Sequence, residues 1–194
     1  MGGDELDLTI EVGPGARAEI GSVAASIAWP GVGGAVSSMT TECTVGHGAH
    51  LDLWPEPIIS VTGSRHRAVT VVRLDRDATC RVVEEVVLGR RDEASGHLEL
   101  SLRVERGGRP LVHHDESLGP DVPGAWSSVS VGAARFVLTA VLVGIRAGTP
   151  QVRVEADRAA AWLPVAADAA VMMAIGYDRP SAMSMLATLS PAFA

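Results

Sequence analysis

The chain has 194 residues, of which 47% are hydrophobic and 20% charged, enough for one domain with a substantial core and too apolar for extended disorder. A formal charge of -7 and basic residues scattered singly exclude sequence-independent binding to nucleic acid. Cys43 and Cys80 are too few for a disulfide framework, and free thiols in a reducing, cytoplasmic setting are expected.

The start carries Asp4 and Glu5 and no basic, apolar secretion signal, and Leu6 stands where a lipidation signal would need Ser or Thr. Leu6 to Val12 alternates as a strand, with Leu6, Leu8, Ile10 and Val12 on one face. Gly13-Pro14-Gly15-Ala16 turns it, Arg17 to Ile20 returns, and a small-residue stretch follows over Gly21 to Ser26. After a loop at Pro30 to Gly34 comes the stretch that organises the chain, Cys43 to Ile58. Met39, Thr41, Cys43 and Val45 alternate into Gly46-His47-Gly48-Ala49, and Ala49, Leu51 and Leu53 alternate out of it, the pattern of a β-hairpin.

Turns beginning at Gly13, Gly46 and Asp75 lie 33 and then 29 residues apart, each between strands. A further hairpin is expected where Leu98, Leu100, Leu102 and Val104 run into Arg106-Gly107-Gly108-Arg109. A period near 30 predicts a mainly β fold of stacked hairpins, either β-helix-like or a two-layer β body. We expect one domain over 1–194, with a β-hairpin body at 1–125 and a mixed part at 126–194.

Composition shifts near Pro120, and Pro120 to Ser128 reads as a loop. The apolar run Val129 to Ile145 is interrupted by Arg135 and falls short of the roughly 20 residues a membrane-spanning helix needs, so a buried core segment is expected. Gln151 to Glu155 is a strand, and Val165 to Ile175 and Ser181 to Leu189 favour helix by composition, separated by a break at Asp178 to Pro180.

Gly31-Val32-Gly33-Gly34 lacks the Gly-Lys-Ser/Thr end of a phosphate loop, and there is no Gly-x-Ser-x-Gly nucleophile elbow. Cys43, His47 and His50 are weak candidates for a metal site, because a closed site needs more convergent ligands; the alternative is a solvated turn histidine beside a small buried thiol. His113 and His114 are adjacent in a strand and so face opposite ways. Glu84 shares a face with Val82, Val86 and Leu88, and Glu85 shares the other with Val83 and Val87. One of the two is expected to point inward or at an interface, paired with an arginine, hydrated, or placed in a polar passage. Asp4 after Gly2-Gly3 is a turn aspartate or a polar group at an opening.

Gly2-Gly3-Asp4-Glu5-Leu6, then Leu51-Asp52-Leu53-Trp54-Pro55-Glu56-Pro57-Ile58, then Leu88-Gly89-Arg90, in this order and spacing, resemble the UreD (UreH) family of urease accessory proteins in its actinobacterial type. The resemblance covers residues 2–118 and the tail only weakly. It implies a mainly β, non-enzymatic scaffold that binds UreF, and through it the nickel-carrying GTPase UreG, and docks on apo-urease for nickel insertion. No tightly bound cofactor is implied, and nickel would be transient.

Residue by residue, Asp4 matches the family's Gly-Gly-Asp, Ser26 a polar position in the small-residue stretch, and Glu84 an acidic position before Leu88-Gly89-Arg90. His114 and Asp115 fall where the family is polar. These five are the candidate nickel-passage or interface residues. The family's Thr-Gln stretch with its following Lys and Tyr is replaced by Ser22 to Trp29. Longer relatives carry strands before Gly-Gly-Asp, so exposed edge strands and poor solubility without UreF are expected. Two alternatives are a stand-alone β-rich module binding a small molecule or carbohydrate, against which only 4% aromatic residues count, and an enzyme without a recognised motif.

Overall fold

The computed structural model describes residues 2–127 and 130–190. The expected Ser128 end of the Pro120 loop, the Val129 start of the apolar run, and 191–194 at the end of the mixed part lie outside the described residues.

The strands in chain order are β1 (Glu5–Val12), β2 (Arg17–Gly21), β3 (Ser26–Ala28), β4 (Ser37–Val45), β5 (His50–Trp54), β6 (Ile58–Ser60) and β7 (Arg65–Leu74). They continue with β8 (Thr79–Leu88), β9 (His97–Arg106), β10 (Arg109–Leu118), β11 (Phe136–Val143), β12 (Gln151–Val154), β13 (Ala159–Ala166) and β14 (Ala169–Gly176), and the helix α1 (Arg179–Leu189) closes the described chain. Sheet A has the order β1-β4-β7-β9-β10, and sheet B runs β12-β13-β14-β11-β8-β5-β2, with β3 and β6 continuing it beside β8.

The fold is mainly β and solenoid-like, as expected, but three of the turns do not close hairpins. β4 and β5 flank Gly46-His47-Gly48-Ala49 yet belong to different sheets, β4 parallel to β1 and β7, β5 parallel to β2 and β8. The turns at Gly13 and Asp75 likewise carry the chain from sheet A to sheet B. Each coil therefore stacks on the next, and the turn spacing of 33 and 29 reappears as strand register: Glu5 lies opposite Ser38, and Ser37 opposite His66. Turns stack too, since Asp77 accepts from the Gly48 N–H at 3.1 Å and lies 2.8 Å from His47 Nδ1. Only β9 and β10, joined through Gly107 and Gly108 at positive φ, form the hairpin expected there.

The apolar run is β11, buried at every position and flanked by β8 and β14. The helix expected over Val165 to Ile175 is strand instead, the end of β13 and most of β14. Alanine's helix preference, a few tenths of a kcal/mol per residue, yields to pairing on both sides of β14 and burial of Val171 and Met172. The second expected helix is α1; Asp178, read as part of a break, is its N-cap in a capping box with Ser181, and Pro180 sits in the first turn where a missing N–H is harmless. No helix among the described residues is long and apolar enough to cross a membrane.

Candidate functional site

Two apolar clusters fill the space between the sheets, and each is continuous within itself. One, at the end of the Gly46 turn, includes Cys43, Val72, Val82, Val104 and Val141; the other includes Ala68, Val86, Leu88, Leu100 and Val137. A single rung of side chains separates them. In sheet A the register aligns Leu8, Thr41, Thr70, Leu102 and His114 across all five strands. In sheet B it aligns Glu84 with Thr139. Since alternate residues share a face, three of the polar members lie between one residue of either cluster: Thr70 between Ala68 and Val72, Glu84 between Val82 and Val86, Thr139 between Val137 and Val141.

The rung is charged as well as polar. Burial pushes the Glu84 carboxyl up from its ordinary value, and the Glu116 carboxylate adds to this, while the Thr70 hydroxyl and the His114 ring oppose it. Glu116, two residues from His114 on the same face, stands 3.8 Å from His114 Nε2 and holds the imidazole above its usual range against the effect of burial. Both facing atoms, His114 Nε2 and Glu116 Oε2, are buried without a hydrogen-bond partner among the described residues. Such atoms carry a desolvation cost that a water or a ligand would relieve.

An opening reaches the rung from the β1 side, and the sequence explains it. Pro55 and Pro57 have no N–H to give to β8, so pairing stops at Leu53 opposite Val82 and resumes at Ile58 opposite Val86. The small-residue stretch makes the matching gap in the next coil, where Ser22 Oγ accepts from the Glu56 N–H at 2.9 Å and Ser26 N–H donates to Pro57 O at 3.0 Å. The gap spans the level of Glu84. A cavity of about 170 Å³ results, lined by Ser22, Ser26, Thr41, Thr70 and Glu84 among apolar neighbours. Ser26 and Met39 also line a recess of about 80 Å³ that holds Asp4, Ser37 and His66, where Ser37 Oγ lies 2.9 Å from His66 Nδ1. Burial lowers the His66 ring below its usual range.

Asp4 and Ser26 line the recess, Ser26 and Glu84 line the cavity, and the His114 ring acts on the Glu84 carboxyl, which makes a polar line of these four. Asp115 does not join them: it faces out from sheet A, accepting from Ser101 Oγ at 2.6 Å and lying 3.1 Å from His113. His113 and His114 point to opposite faces. Thr41, Thr70, Thr139 and Glu116 are members that sequence reasoning passed over; three read as ordinary strand threonines, and the signal for Glu116 was its period-2 spacing from His114.

Cys43, His47 and His50 do not converge. Cys43 is fully buried, its thiol pushed by burial to about 11, and Cys80 in the same cluster is raised to about 12. His47 is exposed at the turn tip, and His50 Nδ1 lies 2.7 Å from Thr79 Oγ1. No three His, Cys, Asp or Glu side chains among the described residues form a group that could hold a metal ion.

Glu85, the neighbour on the opposite face, is also buried, and it is paired. It accepts from Trp54 Nε1 at 2.8 Å and from Arg179 Nε and Nη2 at 2.8 and 3.0 Å. The Trp54 ring has the Arg81 guanidinium 5.0 Å from its centroid and Arg179 at 5.9 Å, and Arg81 is ion-paired with Asp52. This network fixes the start of α1 to sheet B. Of the two adjacent acids, one therefore ties α1 to sheet B and the other meets Thr70 between the sheets.

Residues 1–191 match the UreD urease accessory protein family. A urease accessory protein UreD of Parafrankia sp. is 34% identical over 92% of this chain and 67% of its own length. One of Frankia casuarinae is 38% identical over 74% of this chain, and one of Streptomyces coelicolor is 34% identical over 92% of it and 71% of its own length. The chain spans about half the length of the Frankia casuarinae and Frankia alni relatives, 48% and 53%. The match runs through β11 to α1, well past the residues that carry the sequence resemblance, and the chain belongs to the UreD urease accessory protein family.

Proposed function

We propose that this chain acts in urease maturation as a non-enzymatic scaffold for nickel insertion, joining apo-urease to a UreF-type accessory protein and, through it, to a UreG-type GTPase. We assign it to the cytoplasm, where its free thiols and these partners would be found. Nickel is cargo in this reading, passing along the line from Asp4 and Ser26 to Glu84, His114 and Glu116.

The polar rung carries the passage reading. A sandwich of this size gains most from a continuous apolar interior, yet here Glu84, Thr41, Thr70, Thr139 and His114 divide it at one level, with Glu116 on the next level beside His114. Hydroxyls and carboxylates suit a hydrated divalent cation, and the scarcity of nitrogen and sulfur ligands keeps each stop weak enough to leave. Burial raises the Glu84 carboxyl, so a proton competes with the cation for it. His114 is the one imidazole on the line inside the sandwich.

Urease activation in cells at limiting nickel tests the role, comparing the full accessory set with a set lacking this chain. Urease should be made but remain inactive without it. Unchanged activity in the deletion would overturn the scaffold reading. Loss of activation in Glu84→Ala or Asp4→Ala with partner binding intact would support the passage.

A further inference from the structure

On the far side of sheet B from the polar rung lies a cleft of about 590 Å³ between the loop after β8 and the start of α1. All sixteen basic positions of the chain are arginine, and four of them, Arg90, Arg91, Arg135 and Arg179, line this one cleft in a protein of net charge -7. Two are already neutralised, Arg90 by Glu93 and Arg179 by Glu85. The other two are not: Arg135 spends its Nη2 on the carbonyls of Arg90 and Glu93, and Arg91 is exposed with no carboxylate partner among the described residues.

The loop after β8 that presents Arg91 is tied down. Glu93 binds the Arg90 and Thr62 N–H groups, Thr62 Oγ1 donates to Ala94 O at 2.7 Å, and Arg90 stacks 5.2 Å from the Trp29 ring centroid. Asp92 holds a φ of 58° within it, the left-handed region that a non-glycine residue enters at a cost. The cleft is also lined by Tyr177, 65% exposed, and the half-buried Val87.

We propose that this cleft docks an acidic peptide segment of a partner protein, its carboxylates meeting Arg91 and Arg135 and its aliphatic stems lying on Tyr177 and Val87. Guanidinium forks bind carboxylates in two-point geometry, and a pre-ordered loop spares the complex the cost of ordering it. Nucleic acid is the poorer fit, because the acidic body repels a dense polyanion and Asp92 and Asp178 interrupt the positive lining. The proposal stands independently of the polar rung.

Fluorescence anisotropy of a labelled oligoglutamate peptide of about ten residues, titrated with the full chain at low salt, tests it. Saturable binding is expected, weakened about fivefold or more by Arg91→Ala and further by Arg91→Glu, unchanged by Arg109→Ala or Glu84→Gln. Arg91 is exposed and has no ion-pair partner among the described residues, so these variants keep the fold, and circular dichroism verifies it. Absence of saturable binding, equal binding by Arg91→Ala and wild type, or equal competition by short duplex DNA would each overturn the proposal.

Discussion

Removing the Arg179 guanidinium should undo more than one contact. The Glu85 side chain is fully buried, and Arg179 supplies two of the three hydrogen bonds it receives from side chains. Arg179→Ala leaves a buried carboxylate with Trp54 Nε1 alone, which for a fully buried pair costs about 3–5 kcal/mol. Arg179 is itself 44% exposed, and water can enter where its side chain was, so the lower end, about 3 kcal/mol, applies. For a chain of this length that is a fall in Tm of roughly 6–12 °C. Glu85→Gln in the same chain keeps an acceptor for Trp54 Nε1 and removes the stranded charge, so the double variant should recover most of the loss. Urea unfolding at neutral pH measures all three forms. A loss below about 0.5 kcal/mol for Arg179→Ala, the range of an ordinary surface change, or a double variant no better than the single, would refute this account of how α1 is held.

Glu84 gives a pH dependence of the opposite sign to the usual carboxylate. Its folded-state value is raised, so the fold prefers the protonated acid, and its contribution to stability is present below the unfolded value and lost as pH rises through the folded one. Glu84→Gln should therefore be more stable than wild type at pH 8, with the difference vanishing below about pH 4; a difference that grows on acidification contradicts the placement. Gly96→Ala should destabilise by about 1–3 kcal/mol or prevent folding, because its Cβ would sit 2.4 Å from Val61 O and 2.6 Å from Ser64 O, and thermal melts report it. The two thiols, pushed to about 11 and about 12 and buried, should resist iodoacetamide at pH 8 until the chain is unfolded, as mass spectrometry would show.

The alternation of Met39 to Val45 and Ala49 to Leu53 located the strands, and the turn spacing indicated stacked units, its size returning in the structure as the register between coils. Which strands would pair was not legible. A Gly-His-Gly-Ala turn between two half-buried segments looks the same whether the second strand folds back on the first or crosses to the opposite sheet, because both leave one face dry. The Ala-rich β14 misled for a related reason: local preference is weak, and β11 and β13 enclose it on either side.

Glu84 and Glu85 both stood out as carboxylates on apolar faces, and only the family resemblance singled out Glu84. Thr41, Thr70 and Thr139 could not stand out, since threonine is ordinary in a strand and only the register across both sheets brings the three to one level. Arg179 was hidden by distance, 94 residues from Glu85 in sequence. The cavity has local causes that the sequence reading did not draw out: the prolines of Trp54-Pro55-Glu56-Pro57 and the small side chains of Gly21 to Ser26 flank the break in the ladder.

The most direct test of the central claim is the nickel content of urease purified from cells at limiting nickel, made with the wild-type chain or with Glu84→Leu. That variant fills the middle of the rung with an apolar side chain. Partner binding is checked by co-purification. The passage reading predicts urease with little nickel from the Glu84→Leu cells although the accessory complex still assembles. Full nickel loading with the variant would contradict it, and would leave the rung as a structural feature of the sandwich with no part in carrying the ion.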